Sequence, residues 1–187
     1  MKYFNKLEGE KIYLSPANIE DAEIFTKWLN DFQVTDYIGR STKIMTVEGE
    51  KKWLEDSLKD NDVMLSIIKK EDNQMIGNMT LFEINNINRT ATLGIMIGET
   101  ENMSKGYGTE AIRLMMDFAF NYLNLNNIML NVMEFNKRAI RAYEKVGFKE
   151  FGRRKEASYI NGKYHDIIYM EMLKKDFTES YIKNKNI

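Results

Sequence analysis

Hydrophobic and polar positions alternate over residues 11–15, with Ile12 and Leu14 on one face, and Pro16, lacking an N–H, ends the predicted strand. Asn18 is placed to cap the next helix. Ala22, Phe25, Trp28 and Leu29 recur at helical spacing, which predicts an amphipathic helix near 19–30. Thr46 with Glu48 and Glu50 forms a second helix start, because acids in a first turn meet the positive end of the dipole, and Trp53, Leu54 and Leu58 supply its apolar face. Between 62 and 98 the period drops to two. Val63, Leu65 and Ile67, then Met75 to Phe82, then Thr90 to Ile97 read as a three-strand antiparallel meander broken at KEDNQ and NNINR. Ala111, Leu114, Met115, Phe118, Ala119 and Tyr122 then predict a helix from about 107 to 123. Ile128 to Met133 is a short strand, and Asn136 caps a helix through Val146 that Gly147 closes. Phe148 to Phe151 opens another strand, and Asn161-Gly162, a type I′ turn dipeptide, joins the last two strands as a hairpin. Residues 180–187 are expected to fray, leaving one mixed α/β domain over 1–179.

Composition narrows the function. With 27 Lys plus Arg against 28 Asp plus Glu, the net charge of −1 argues against nucleic acid as the partner. The absence of Cys removes thiolate metal sites, disulfides and a cysteine nucleophile, and suits a reducing cytoplasmic compartment. One His, His165, speaks against a histidine triad or a zinc cage, so no metal is expected; chemistry allows it to carry a proton, but its place in the final hairpin favours a structural role. The first residues have no apolar signal core, and the most apolar later stretch, LMMDFAFNYL, is interrupted by Asp117, so no membrane partner is expected either. Trp28, Trp53 and the thirteen Met read as core filling.

One loop carries a candidate for chemistry. Gly106 and Gly108 lie between a strand and the longest predicted helix, where missing side chains let an anion approach free backbone N–H groups. A phosphate site and a plain loop glycine pair both satisfy that pattern. Gly106, Gly108 and Ala111 also match a dinucleotide fingerprint, with Glu134 as its ribose acid, but GETENMSK separates the strand from the first glycine and no repeated βαβ units are present. A Walker loop fails for want of Gly-Lys-Ser/Thr.

From about 74 to 173 the chain resembles the GNAT N-acetyltransferases, in particular the branch with ribosomal-protein and spermidine acetyltransferases. The resemblance is carried by LGIMI, by MSKGYGTEA, by IMLNVMEFN, and by the series Asn136, Ala139, Tyr143, Gly147, Phe148. EINNINR and INGKYHDI are most similar to the spermidine enzymes, and KWLND with VTDYI to the broader branch. One departure stands out: the family's loop usually begins with Gln or Arg, where this chain has Met103.

The resemblance implies a mostly antiparallel sheet flanked by helices, in which parallel strands at 91–98 and 127–133 splay apart around acetyl-CoA. It implies that the pantetheine pairs with backbone near Ile95, Met96 and Ile97. The pyrophosphate would lie against Met103, Ser104, Lys105, Gly106, Tyr107, Gly108 and Thr109, at a helix N-terminus. Asn136, Arg138, Ala139 and Arg141, with Lys137 nearby, would complete the cofactor site. Read on their own, those basic residues are equally solvated helix charges. Tyr143 matches the family tyrosine facing the sulfur, so it serves as general acid and as a cofactor contact; read alone it is equally a buried core tyrosine. Asn136 caps its helix and is compatible with a second bond to the pantetheine arm.

Glu83 is the expected base for the acceptor amine, which is mostly protonated at neutral pH, although a solvated hairpin acid is the plainer alternative. With no Cys, direct attack in a ternary complex is expected over a covalent acyl-enzyme. The acceptor, a small-molecule or peptide amine, would be chosen by residues 19–58, where Asp31, Asp36, Glu48 and Glu50, with Glu83, offer an acidic path for a polyamine such as spermidine. A ribosomal-protein or peptide N-terminus, or a silent acyl-CoA-binding module, are the alternatives, and a homo-oligomer is compatible with the sequence.

Overall fold

The computed structural model describes residues 2–57 and 62–183. Among these residues eight strands form one sheet in the order β1-β2-β3-β4-β5-β6-β8-β7, antiparallel throughout except for β5 against β6. β1 (Leu7–Glu8) is a two-residue edge strand that the sequence pattern did not signal, and β2 (Ile12–Pro16) ends on its proline. β3 (Val63–Lys69), β4 (Met75–Asn85) and β5 (Thr90–Ile97) form the expected meander. β6 (Asn127–Met133) pairs with β8 (Lys163–Leu173), which forms the final hairpin with β7 (Lys149–Ile160). Asn161 and Gly162 both take positive φ, 47° and 78°, as a type I′ turn requires.

Among the described residues, five α-helices cover the two faces. α1 (Ala22–Leu29) comes after a 3-10 turn capped by Asn18, whose side chain accepts from the Glu20 N–H. α2 (Phe32–Ile38) is an addition to the expected pair of early helices: Asp31 caps it and Gly39 ends it with φ 68°. α3 (Val47–Ser57) starts where Thr46 accepts from the Gly49 N–H, and its first turn buries Glu50; Leu58 lies outside the described residues. α4 (Tyr107–Asn121) and α5 (Lys137–Val146) match expectation, with Gly147 at φ 118° closing α5.

Alternation along the strands sends side chains to two cores. Ile12, Leu14, Leu65, Ile67, Met79, Leu81 and Leu93 pack under α4 and α5, with Leu114, Met115 and Ala119 fully buried. Tyr13, Met64, Ile68, Met75 and Met96 pack under Phe25, Trp28, Leu29 and Leu54 on the other face.

Two expectations change in the folded chain. Tyr122 caps α4 and is 47% exposed, stacked on Phe118 instead of entering the core. Asp117, the residue that interrupts the apolar stretch, is fully buried and accepts from the N–H groups of Tyr181 and Ile182 at 2.6 and 3.0 Å. That carboxylate, with the Lys183 N–H donating to the Glu8 carbonyl, anchors residues 181–183 of the segment expected to fray, and Ile182 is buried. Residues 184–187 lie outside the described set.

Candidate active site

β5 and β6 pair in parallel only at Thr90 with Asn127, Ala91 with Ile128 and Thr92 with Met129. Beyond that point the ladder ends. The Gly98 N–H donates to the Ile76 carbonyl, so by strand alternation the backbone groups of Met96 and Gly94 face β4 while those of Leu93, Ile95 and Ile97 face the opening toward β6. A cavity of about 650 Å³ occupies this opening, within the range of small-molecule sites. Leu93 to Ile97 line one side, Asn131 to Met133 and α5 the other, and α1 to α3 close the far end.

The loop before α4 is shaped by backbone conformation. Ser104 and Gly106 take positive φ, 61° and 90°, which turns the chain into the helix. The first helical bond runs from the Glu110 N–H to the Gly106 carbonyl, so the N–H groups of Tyr107, Gly108 and Thr109 have no partner within the helix. Glu110, the one acid of that turn, is drawn away: it accepts from the N–H groups of Glu10 and Lys11. A Cβ added at Gly106 would meet nothing within 4 Å, and one at Gly108 only Ile97 at 3.9 Å, so the loop is open on its ligand side.

Met103, Ser104, Gly106, Gly108 and Thr109 line the cavity, but Lys105 and Tyr107 do not. The alternating turn puts those two toward a separate depression with Glu10, Lys11, Lys70 and Glu71. Asn136, Arg138, Ala139 and Arg141 line the main cavity, joined by Lys145; Lys137 does not. The Asn136 side-chain oxygen accepts from the Ala139 N–H at 3.1 Å and caps α5. Tyr143, 7% exposed, also borders the cavity, with its ring set edge-on to Phe148 at 6.0 Å. Burial pushes its phenol up to about 12.

Glu83 is not part of the cavity wall. It sits on a β4 bulge with φ 53°, its N–H donating to Asp62, its carboxylate accepting from the Thr92 hydroxyl at 3.3 Å. Thr92 does line the cavity, so Glu83 is one side chain removed from it. Of the five acids expected along an acceptor path, Glu50 alone borders the cavity; Asp31, Glu48 and Glu83 are exposed and Asp36 is half-buried. Two features were not visible in the pattern. Asn102, buried against the cavity, has an amide nitrogen without a partner, and Asn78 and Thr80 on β4 add polar groups to the wall. They are the polar alternates of a period-two strand, and alternation alone does not say that this face of it lines a cavity.

Glu134, the acid a dinucleotide fingerprint would use, instead pairs with Arg153 at 3.8 Å and His165 at 3.5 Å. The His165 ring lies against Phe135 at 4.8 Å, away from the cavity. Among the described residues no group of three His, Cys, Asp or Glu is arranged to hold a metal, and no helix is long and apolar enough to cross a membrane.

A mixed sheet opened at its parallel pair, with a glycine loop at one helix start and a buried tyrosine on the next helix, surrounds this one cavity. The family model for the acetyltransferase (GNAT) domain matches residues 11–149, and the chain belongs to that family. It is 33% identical over 178 residues, 91% of this chain and 98% of the relative, to "Probable N-acetyltransferase YjcK" of Bacillus subtilis (strain 168). It is 35% identical over 118 residues, 63% of this chain and 68% of the relative, to the spermidine N(1)-acetyltransferase of Vibrio cholerae. A crystal structure of spermidine N-acetyltransferase from Vibrio cholerae in complex with CoA and spermine superposes with a TM-score of 0.82 at 27% identity, covering 89% of this chain and 97% of that one.

Proposed function

We propose that this acetyltransferase transfers acetyl from acetyl-CoA to a primary amine by direct attack, with a polyamine such as spermidine as the acceptor. The observation that carries the reading is the cavity itself, where an unpaired strand edge, a helix amino end and a buried phenol border one space. The residues present fit the co-substrate. Leu93, Ile95 and Ile97 offer the backbone edge a pantetheine amide needs, and Tyr107, Gly108 and Thr109 offer unpartnered N–H groups to a pyrophosphate. Arg138, Arg141 and Lys145 add positive charge along the same wall. Because the loop binds through main chain, Met103 in place of Gln or Arg removes one polar contact and keeps the cradle.

When bound, acetyl-CoA supplies an acetyl group activated as a thioester. The chain's own residues then have three tasks. Leaving sulfur must be protonated, and the Tyr143 phenol, held neutral by burial, is the donor on the wall. The negative charge on the carbonyl oxygen must be met, which falls to backbone N–H groups of β5 facing the opening. The amine must lose a proton, and Glu83 takes it through water beside the Thr92 hydroxyl. The polyamine reading is supported by the likeness, in sequence and in structure, to the spermidine acetyltransferase of Vibrio cholerae. Calorimetry with acetyl-CoA and with NAD, then thiol release over a panel of spermidine, spermine, N-terminal peptides, aminoglycosides and amino sugars, tests it. Acetyl-CoA binding with thiol release on spermidine is the expected result; binding without release on any amine would leave a silent acyl-CoA module.

A further inference from the structure

A buried carboxylate in a cavity wall demands an account. Glu50 is 1% exposed, and neither of its carboxylate oxygens has a hydrogen-bond partner. An ionised carboxylate left that way costs several kcal/mol, which natural cores avoid unless the group is matched by something that arrives later. Burial raises its pKa, and the nearby Arg40 guanidinium opposes that rise. Arg40 does not remove the penalty by bonding, because its guanidinium lies over the Trp53 ring at 5.7 Å and leaves both Glu50 oxygens unpartnered.

Positive charge is spread along the wall, with Arg40 beside Glu50 and the Arg138 guanidinium over the Tyr37 ring at 5.6 Å, while negative charge is confined to one place. Glu50 is the only acid among the described residues bordering the cavity, and it stands at the α1 to α3 end. Arg138, Arg141 and Lys145 stand at the α5 end, where a phosphate-bearing molecule is expected. The same end of the cavity carries Tyr37 and Trp53, each with an Arg guanidinium over its ring, so these faces already receive cationic groups. The amine that attacks must be neutral, so it has no use for a permanent anion; a second amine on the same molecule stays protonated at neutral pH and does.

We infer that Glu50 receives the non-reacting ammonium of the acceptor, which makes the acceptor a diamine or polyamine and Glu50 the residue that selects it over a monoamine. This rests on the acetyltransferase reading above. Both oxygens are out of solvent contact, so the ammonium reaches them by moving the half-buried Arg40 side chain, whose place over Trp53 is held by a weak contact.

Thiol release with spermidine and with n-butylamine, for the wild type and Glu50→Gln, tests the inference. The wild type is expected to favour spermidine by at least about tenfold in kcat/KM, and Glu50→Gln to erase most of that ratio through KM. Gln removes the charge at nearly constant shape, so the variant is expected to melt at or above the wild-type temperature. Glu50→Asp, which keeps the charge, should recover part of the preference. A wild type that uses both amines equally, or a variant that keeps the full preference, overturns the role of Glu50 while the acetyltransferase reading stands. No thiol release by the wild type with either amine overturns the polyamine acceptor and this inference with it, and release on another amine of the panel keeps the acetyltransferase reading.

Discussion

At the scale of single residues, the Tyr143 hydroxyl carries the most weight. Its phenol is held at about 12 by burial, so the donor form persists through any ordinary assay, and since a thiol of pKa about 8.5 is the stronger acid, the phenol assists by hydrogen-bonding the thiolate as it leaves. Tyr143→Phe keeps the edge-on packing with Phe148 and removes only the oxygen. Turnover should fall by roughly 10²–10⁴-fold with acetyl-CoA affinity close to wild type, read by steady-state kinetics beside calorimetry. Wild-type turnover would make Tyr143 a packing residue. The wild-type rate should also show no decline from this group below about pH 11, since ionisation begins only as the pH approaches the raised pKa.

Glu83 makes a different demand on pH. An alkyl amine of pKa about 10.4 is almost wholly protonated at pH 7 and needs a base; at pH 9 a much larger share is already neutral. Glu83→Gln should therefore lower the rate more at pH 7 than at pH 9. Matching pH profiles for the two enzymes would remove Glu83 from the reaction. A KM that rises at both pH values with kcat unchanged would make it an anchor for the acceptor instead.

At the scale of elements, the start of α4 can be tested without disturbing the fold. Gly108 occupies a helical first-turn position with only ordinary contact available to a Cβ, and acids are favoured there by the dipole. Gly108→Asp should fold as well as the wild type and bind acetyl-CoA at least about tenfold more weakly, because the new charge enters the space meant for phosphate. Unchanged affinity in calorimetry would move the pyrophosphate elsewhere.

The elements also show what a sequence can disclose. α4, α5 and the terminal hairpin announce themselves because period, cap and turn agree, as at Asn136, Gly147 and Asn161-Gly162. α2 has its Asp31 cap and Gly39 stop, but seven residues beginning at an exposed Phe32 are too few to display a period. β1 is shorter still, and owes its existence to β2. In the site, glycine spacing and the Asn136 to Tyr143 series mark the α4 and α5 walls. The alternating turn that sends Lys105 and Tyr107 away, and the burial of Glu50, depend on tertiary packing that no local pattern encodes.

At the scale of the whole molecule, one sheet separates two cores, and its edges are guarded differently. β1 is too short to recruit a partner, whereas β7 carries Lys149, Arg153, Arg154 and Lys155 along a bulged rim, a pattern that discourages edge pairing. The interior has a third edge, where β5 parts from β6 after Thr92. That parting writes a two-beat rhythm into the amide protons of a single strand. Gly94 and Met96, turned to β4, should exchange with deuterated water slowly, while Ile95 and Ile97 should exchange orders of magnitude faster within the same few residues. Residue-resolved NMR exchange reads this directly, and acetyl-CoA should slow the fast pair while leaving the slow pair nearly unaltered. Equal rates along β5 before any ligand is added would mean that the strands close over the opening in solution, and the enzyme would then have to use part of its binding energy to prise them apart at every turnover.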